Sequence, residues 1–155
     1  MFRWSKNTKD WAETLLNNKK NSVIKIDFDL YYLFLLIGLG LGRTQTLDEK
    51  NTTDIIRSYP TKYNSQRHKI AMMLIYCDLK ASGFSTNDKN IVKSKIEEII
   101  SSESINLISG NAEKLLNNYA NGGYEAVREK MIKVEPNDAL FIKILYEEFF
   151  PQLFQ

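Results

Sequence analysis

Apolar residues along this chain recur mostly at helical spacing. From Lys9 to Lys19, the side chains of Trp11, Leu15 and Leu16 line one side of a short amphipathic helix. Thr53 or Asp54 opens a single turn through Ile55 and Ile56, and Pro60 stops it. Asn64 or Ser65 caps a long helix over 65–82, with Ile70, Met73, Leu74 and Cys77 as its inner stripe and Gly83 beyond its end. Ser85 or Thr86 caps the next helix, which turns Val92, Ile96, Ile99 and Ile100 inward. Two short helices, SGNAEKLLNNYANGG and GYEAVREKMIK, meet at Gly122-Gly123. The last helix begins near Asn137-Asp138 and carries Leu140, Phe141, Ile144, Leu145 and Phe149 as far as Pro151. Val23 to Phe28 has the look of a brief strand, but without a partner it reads as an extended lead-in. Period-two alternation is not persuasive anywhere.

The run LYYLFLLIGLGLGR, Leu30 to Arg43, departs from this amphipathic pattern. It is too short for a membrane span, which needs about 20 apolar residues, and Asp27, Asp29 and Arg43 flank it closely. A dinucleotide loop also fails. Gly38-Leu39-Gly40 fits the start of Gly-x-Gly-x-x-Gly, but Arg43 stands where the third glycine belongs. No alternating strand-helix pattern follows to build the parallel sheet such a loop needs. As a helix the run is coherent. Asp27 or Asp29 caps it, Gly42 ends it, and Arg43 places a cation near the negative end of the dipole. A helix apolar on every face is a buried one. Gly38 and Gly42, four apart, share a face on which another helix backbone can approach closely.

These elements add up to an all-α fold: a single-domain helical bundle, residues 1–155, of about six helices around the buried apolar Leu30–Leu41 helix. The length suits one domain with a sizeable core. A lone cysteine, Cys77, forms no internal disulfide, and Asp10 and Glu13 interrupt the N-terminus where a signal peptide needs an apolar run. The expected location is therefore the cytoplasm. A net charge of +2 is too small to imply a polyanionic partner.

Chemistry-bearing clusters are scarce. One histidine, His68, and one cysteine make no metal-ligand spacing, so no metal and no cofactor are expected. His68 and Cys77 lie nine residues apart on one helix, about 13 Å along its axis, too far for a nucleophile-base pair. Glu97-Glu98 and Glu147-Glu148 fit surface pairs with Lys93 and Lys143 at helical spacing. No catalytic constellation emerges, and the chain reads as a non-enzyme.

Two segments stand out. RSYPTKYNSQRHK combines Arg57, Lys62, Arg67 and Lys69 with Tyr59, Tyr63 and His68 and contains no acid, a mixture suited to phosphate contact and base stacking. The end of the chain gathers Phe149, Phe150, Leu153 and Phe154 around Pro151, where chain ends are usually polar. An aromatic end either covers its own core or meets a partner. In size, and in the apolar helix leading to GLGRTQ, the chain resembles small helical accessory proteins of bacterial DNA-modification and phage-defence gene clusters. The absence of catalytic chemistry and the aromatic end point to a small subunit or adaptor of a larger bacterial or phage protein complex; the resemblance implies an accessory component of a DNA-modification or phage-defence system as its setting and assigns no residues. Its rival is a nucleic-acid-binding module, for DNA or RNA, using Arg57, Lys62, Tyr63, Arg67, His68 and Lys69. The adaptor reading makes Phe149, Phe150, Leu153 and Phe154 the partner contact.

Overall fold

The computed structural model describes residues 1–17, 22–131, 133 and 137–153. It is mostly helical, with one small sheet. Strand β1 (Phe2–Ser5) opens the chain and pairs antiparallel with β2 (Thr52–Ile56), Arg3 opposite Asp54 and Trp4 opposite Thr53. The predicted single turn at Ile55 and Ile56 is thus a strand. β1 does alternate, with Phe2 and Trp4 buried and Arg3 and Ser5 half-buried, but over four residues only, while β2 shows no clear alternation.

Helix α1 (Lys6–Leu16) starts three residues before the expected Lys9, because the Ser5 hydroxyl caps it by accepting from the Thr8 N–H at 3.0 Å. Helix α2 (Asp27–Leu41) follows the extended lead-in, and residue 26, not Asp27 or Asp29, is its N-cap. Asp29 sits in the first turn and reaches back to accept from the backbone N–H groups of Lys25 and Ile26, at 2.8 and 3.2 Å. At the other end Gly42 adopts φ 61°, and the Arg43 N–H donates to the Gly38 carbonyl at 2.8 Å. That is the left-handed glycine cap the sequence implied.

A 3-10 turn at Thr61–Gln66 leads into α3 (Arg67–Ala81), so its start is set by this turn and not by Asn64 or Ser65. Its buried stripe is Ile70, Ala71, Leu74, Ile75 and Leu79. Met73 is partly exposed and Cys77 half-buried, a rotation of the stripe away from the expected one. Helix α4 (Lys89–Ile99) is capped by Asp88, and only Ile99 of its expected inner residues is fully buried. Helix α5 (Gly110–Lys130) is one continuous helix where two were expected, with Gly122-Gly123 inside it. Helix α6 (Asp138–Leu153) runs through Pro151 instead of stopping there.

Those internal glycines have a reason. α2 and α5 form the most extensive helix pair of the fold. A Cβ on Gly38 would fall inside the Tyr119 carbonyl, and one on Gly123 inside the Phe34 carbonyl. Gly122 is equally tight against the Arg43 and Thr44 backbone. The two helices therefore cross backbone to backbone, and each glycine's propensity cost of about 1 kcal/mol is offset by that contact. Gly42 has open space around it, so the contact face belongs to Gly38 alone.

α2 is apolar all round yet not enclosed all round. Phe28, Leu30, Tyr31, Phe34, Leu35, Ile37 and Leu39 are buried, whereas Leu33, Leu36 and Leu41 are half-buried and Gly40 is exposed. Its buried residues divide between two clusters. One gathers Phe2, Phe28, Tyr31 and Tyr59 with Leu74 and Leu116; the other gathers Phe34 and Ile37 with Tyr124, Phe141 and Phe149. Between β1 and α5, buried Asn117 acts as a side-chain strand. Its Oδ1 accepts from the Arg3 N–H at 3.1 Å and the Tyr31 hydroxyl at 2.8 Å, while its Nδ2 donates to the Met1 carbonyl at 3.1 Å. Among the described residues no helix is long and apolar enough to cross a membrane.

Gly38→Ala and Gly123→Ala should each lower stability by about 3 kcal/mol, because backbone, not a flexible side chain, must yield. Gly110→Ala, at a site with open space around it, should be neutral or gain up to about 1 kcal/mol. Urea denaturation of the three variants checks this; equal effects at all three sites would refute the backbone crossing.

Candidate functional site

The basic-aromatic segment divides once it is folded. Lys62 and Tyr63 converge on Asp29: the Lys62 Nζ lies 2.5 Å from Oδ1, and the Tyr63 hydroxyl donates to the same oxygen at 2.7 Å. The Tyr63 ring packs against Phe28 and Tyr32, and Lys62 sits over it at 5.2 Å. Tyr59 is buried against Phe2 and Phe28. The aromatic rings expected to stack on bases are thus occupied by the core, and one of the cations is held by a carboxylate. Arg57, His68 and Lys69 remain exposed and Arg67 half-exposed; none forms an ion pair among the described residues.

Burial of Asp29 works against its ionisation, but the bonds from Lys62, Tyr63 and the Lys25 and Ile26 N–H groups outweigh it. Its carboxyl is held below the ordinary range. The Tyr63 hydroxyl is correspondingly pushed up by burial and by its bond to that carboxylate.

The aromatic chain end divides as well. Phe149 is 3% exposed and belongs to the core cluster with Phe141 and Leu145. Phe150 is 43% exposed and stacks on Tyr146 with ring centroids 4.5 Å apart. Phe154 and the Leu153 side chain lie outside the described residues. An acid at the start of α6 has a local use. Asp138 accepts from the Ser22 hydroxyl at 2.9 Å and from the Val23 N–H, tying the start of α6 to the lead-in of α2.

A third feature went unpredicted. Where the C-terminal end of α2 meets α3, a groove of about 630 Å³ opens, lined by Leu39, Gly40, Met72, Met73, Tyr76 and Lys80 among others. Met72 is 70% exposed, Tyr76 54% and Met73 37%. Three large apolar residues on one exposed helix face are unusual, because an apolar patch of this kind normally marks a contact. The available signal was the spacing of Met72 and Tyr76, one turn apart and off the Ile70–Leu74 stripe. Cys77 forms part of the wall. Its thiol donates to the Leu39 carbonyl at 3.3 Å, and burial pushes its ionisation up, which opposes a nucleophilic role.

In a smaller recess of about 390 Å³ beside β1, the lining charges of Arg3 and Glu113 are already paired. The Met1 ammonium meets Glu113, and Arg3 meets Asp54 at 2.7 Å. Among the described residues no three His, Cys, Asp or Glu side chains come together to hold a metal ion. No family model, curated protein or solved structure matches this chain.

Asp29 supplies a pH test of the latch over α2. A carboxyl whose folded value lies below its unfolded value, about 3.9, contributes full stability above that value and loses it as pH falls through the folded one. Asp29→Asn should therefore cost about 1–3 kcal/mol at neutral pH. The difference from the parent should shrink as the pH drops below about 4. Denaturant titrations across that range measure it, and a gap independent of pH would refute an ionised latch.

Proposed function

We propose that this chain is a non-enzymatic helical adaptor, a small subunit that joins a larger protein assembly, and that the groove between α2 and α3 is its docking surface. The observation that carries the reading is the exposed row of Met72, Met73 and Tyr76 beside the open end of α2. A side chain such as Tyr or Met, unbranched or rigid and largely apolar, is well suited to anchoring a partner. Burying two or three of them, at roughly 1.5–3 kcal/mol each, offsets part of the cost of association and supplies the anchor of a larger contact. Phe150 and Tyr146 offer a second, smaller contact on α6.

The setting we favour is the cytoplasm of a bacterium or of a phage-infected cell. The resemblance, in size and in the apolar helix leading to GLGRTQ, to accessory proteins of DNA-modification and phage-defence clusters supports it. α2 would then serve as the apolar spine of the bundle, one side spent on α5 and the other turned toward the groove. The nucleic-acid reading is weaker, since its cations survive at Arg57, Arg67 and Lys69 and the His68 ring stays exposed, but Tyr59 and Tyr63 are taken up by the core.

The test is the mass of the assembly containing the full chain in its own host, measured by size exclusion and mass spectrometry. Tyr76→Lys should release the chain to its monomer mass while leaving its melting temperature unchanged, because Tyr76 is exposed. An assembly that survives Tyr76→Lys and Met72→Lys together refutes this docking surface. Dissociation by salt alone, with nucleic acid released, would favour the phosphate-contact reading instead.

A further inference from the structure

We infer that the groove takes an amphipathic helix of a partner protein whose apolar face is bounded at both ends by carboxylates. The inference rests on the docking role proposed above and adds the chemistry of the occupant. Among the described residues, Lys80 is the only charged side chain in the groove wall, and no acidic one lines it. Lys69 lies three and four residues before Met72 and Met73, so it shares their face of α3 one turn earlier. Both lysines are exposed, and neither forms an ion pair among the described residues. Lys95, by contrast, is held between Asp78 and Glu98, and Lys62 by Asp29. His68, one turn before Met72, is exposed at the same end.

The apolar row is thus framed by two unneutralised cations, about 16 Å apart along the helix axis. A helix laid beside α3 in the groove would meet them with carboxylates about eleven residues apart, with its apolar positions between. Gly40 contributes no side chain to the floor, which leaves room for a helix to settle between α2 and α3.

The same charges argue against a second copy as the occupant. A two-fold contact through this face sets Lys69 against Lys80 if the helices run antiparallel, and like against like if they run parallel. Either pairing opposes cation to cation at both ends of an apolar contact, which disfavours association. The partner is therefore chemically different from this chain and complementary in charge.

Three synthetic helical peptides with one shared apolar face test this against the full chain by fluorescence anisotropy. They differ only at their ends, which carry glutamates, glutamines or lysines. The glutamate-ended peptide should bind about tenfold more tightly than the lysine-ended one, and the difference should collapse as salt rises from about 0.05 M to about 0.5 M. The double variant Lys69→Glu, Lys80→Glu should reverse the order of preference. Both positions are exposed, and an unchanged melting temperature verifies that the variant is folded; should it not fold, the three peptides on the parent chain decide alone. Equal affinity for all three peptides, abolished by Tyr76→Lys, overturns the charge frame while leaving the docking surface standing. No binding by any of the three overturns both. A dimer of the chain itself, seen by sedimentation equilibrium and dissolved by Tyr76→Lys, overturns the inference by making the occupant a second copy.

Discussion

The contact between the Gly38 turn of α2 and the Gly123 turn of α5 governs the rest of the fold. Where two helices touch through carbonyls and Cα atoms, their separation and crossing are fixed by backbone geometry and not by adjustable side chains. Both core clusters are built outward from that fixed pair. Tyr31 and Leu35 of α2 reach one, Phe34 and Ile37 the other, while α5 contributes Leu116 and Tyr119 to the first and Tyr124 and Val127 to the second. A seam this rigid leaves the peripheral helices to adapt to it. α3 and α4 do so with few fully buried residues, and α6 with a single inward row of Phe141, Leu145 and Phe149.

Rigidity on one side of α2 has a counterpart on the other. With the Gly38 face spent on α5, the end of α2 at Gly40 and Leu41 is only partly covered and lines the groove with α3. The helix is apolar there as well, which is more hydrophobic surface than the chain covers for itself. A core helix need not keep such a face apolar in water, and a face that is kept apolar is ready for contact with another molecule. The exposed methionines opposite it suit that role, because a thioether chain conforms to a partner's shape at little strain.

Helical content, the course of α2 and its Gly42 cap were legible in the chain because they depend on local spacing and local backbone preference. What escaped was whatever depends on a residue far away in sequence. The strand at Thr52–Ile56 exists because Phe2–Ser5 pairs with it; the alternation of Phe2–Ser5 covers only four residues, and Thr52–Ile56 does not alternate. Gly122-Gly123 looks like a break until Phe34 and Arg43 are brought against it; only then is the absence of Cβ a packing requirement. Tyr63 and Lys62 resemble a phosphate-binding pair until Asp29, thirty-odd residues earlier, claims both. The groove was hidden for a different reason. Met72 and Tyr76 lie off the inner stripe by spacing, but that they line a groove depends on how α3 is set against the end of α2.

Asn117 has a consequence for how copies of this protein meet. A two-stranded sheet has two outer edges, each a row of backbone groups able to recruit a strand from another molecule. On β1 the Arg3 N–H and the Met1 carbonyl are already taken by one buried amide. Edge-to-edge stacking into a fibre requires every copy to offer both edges. One asparagine, placed to complete a helix-strand contact, thereby leaves those two groups of β1 closed to a strand from another copy.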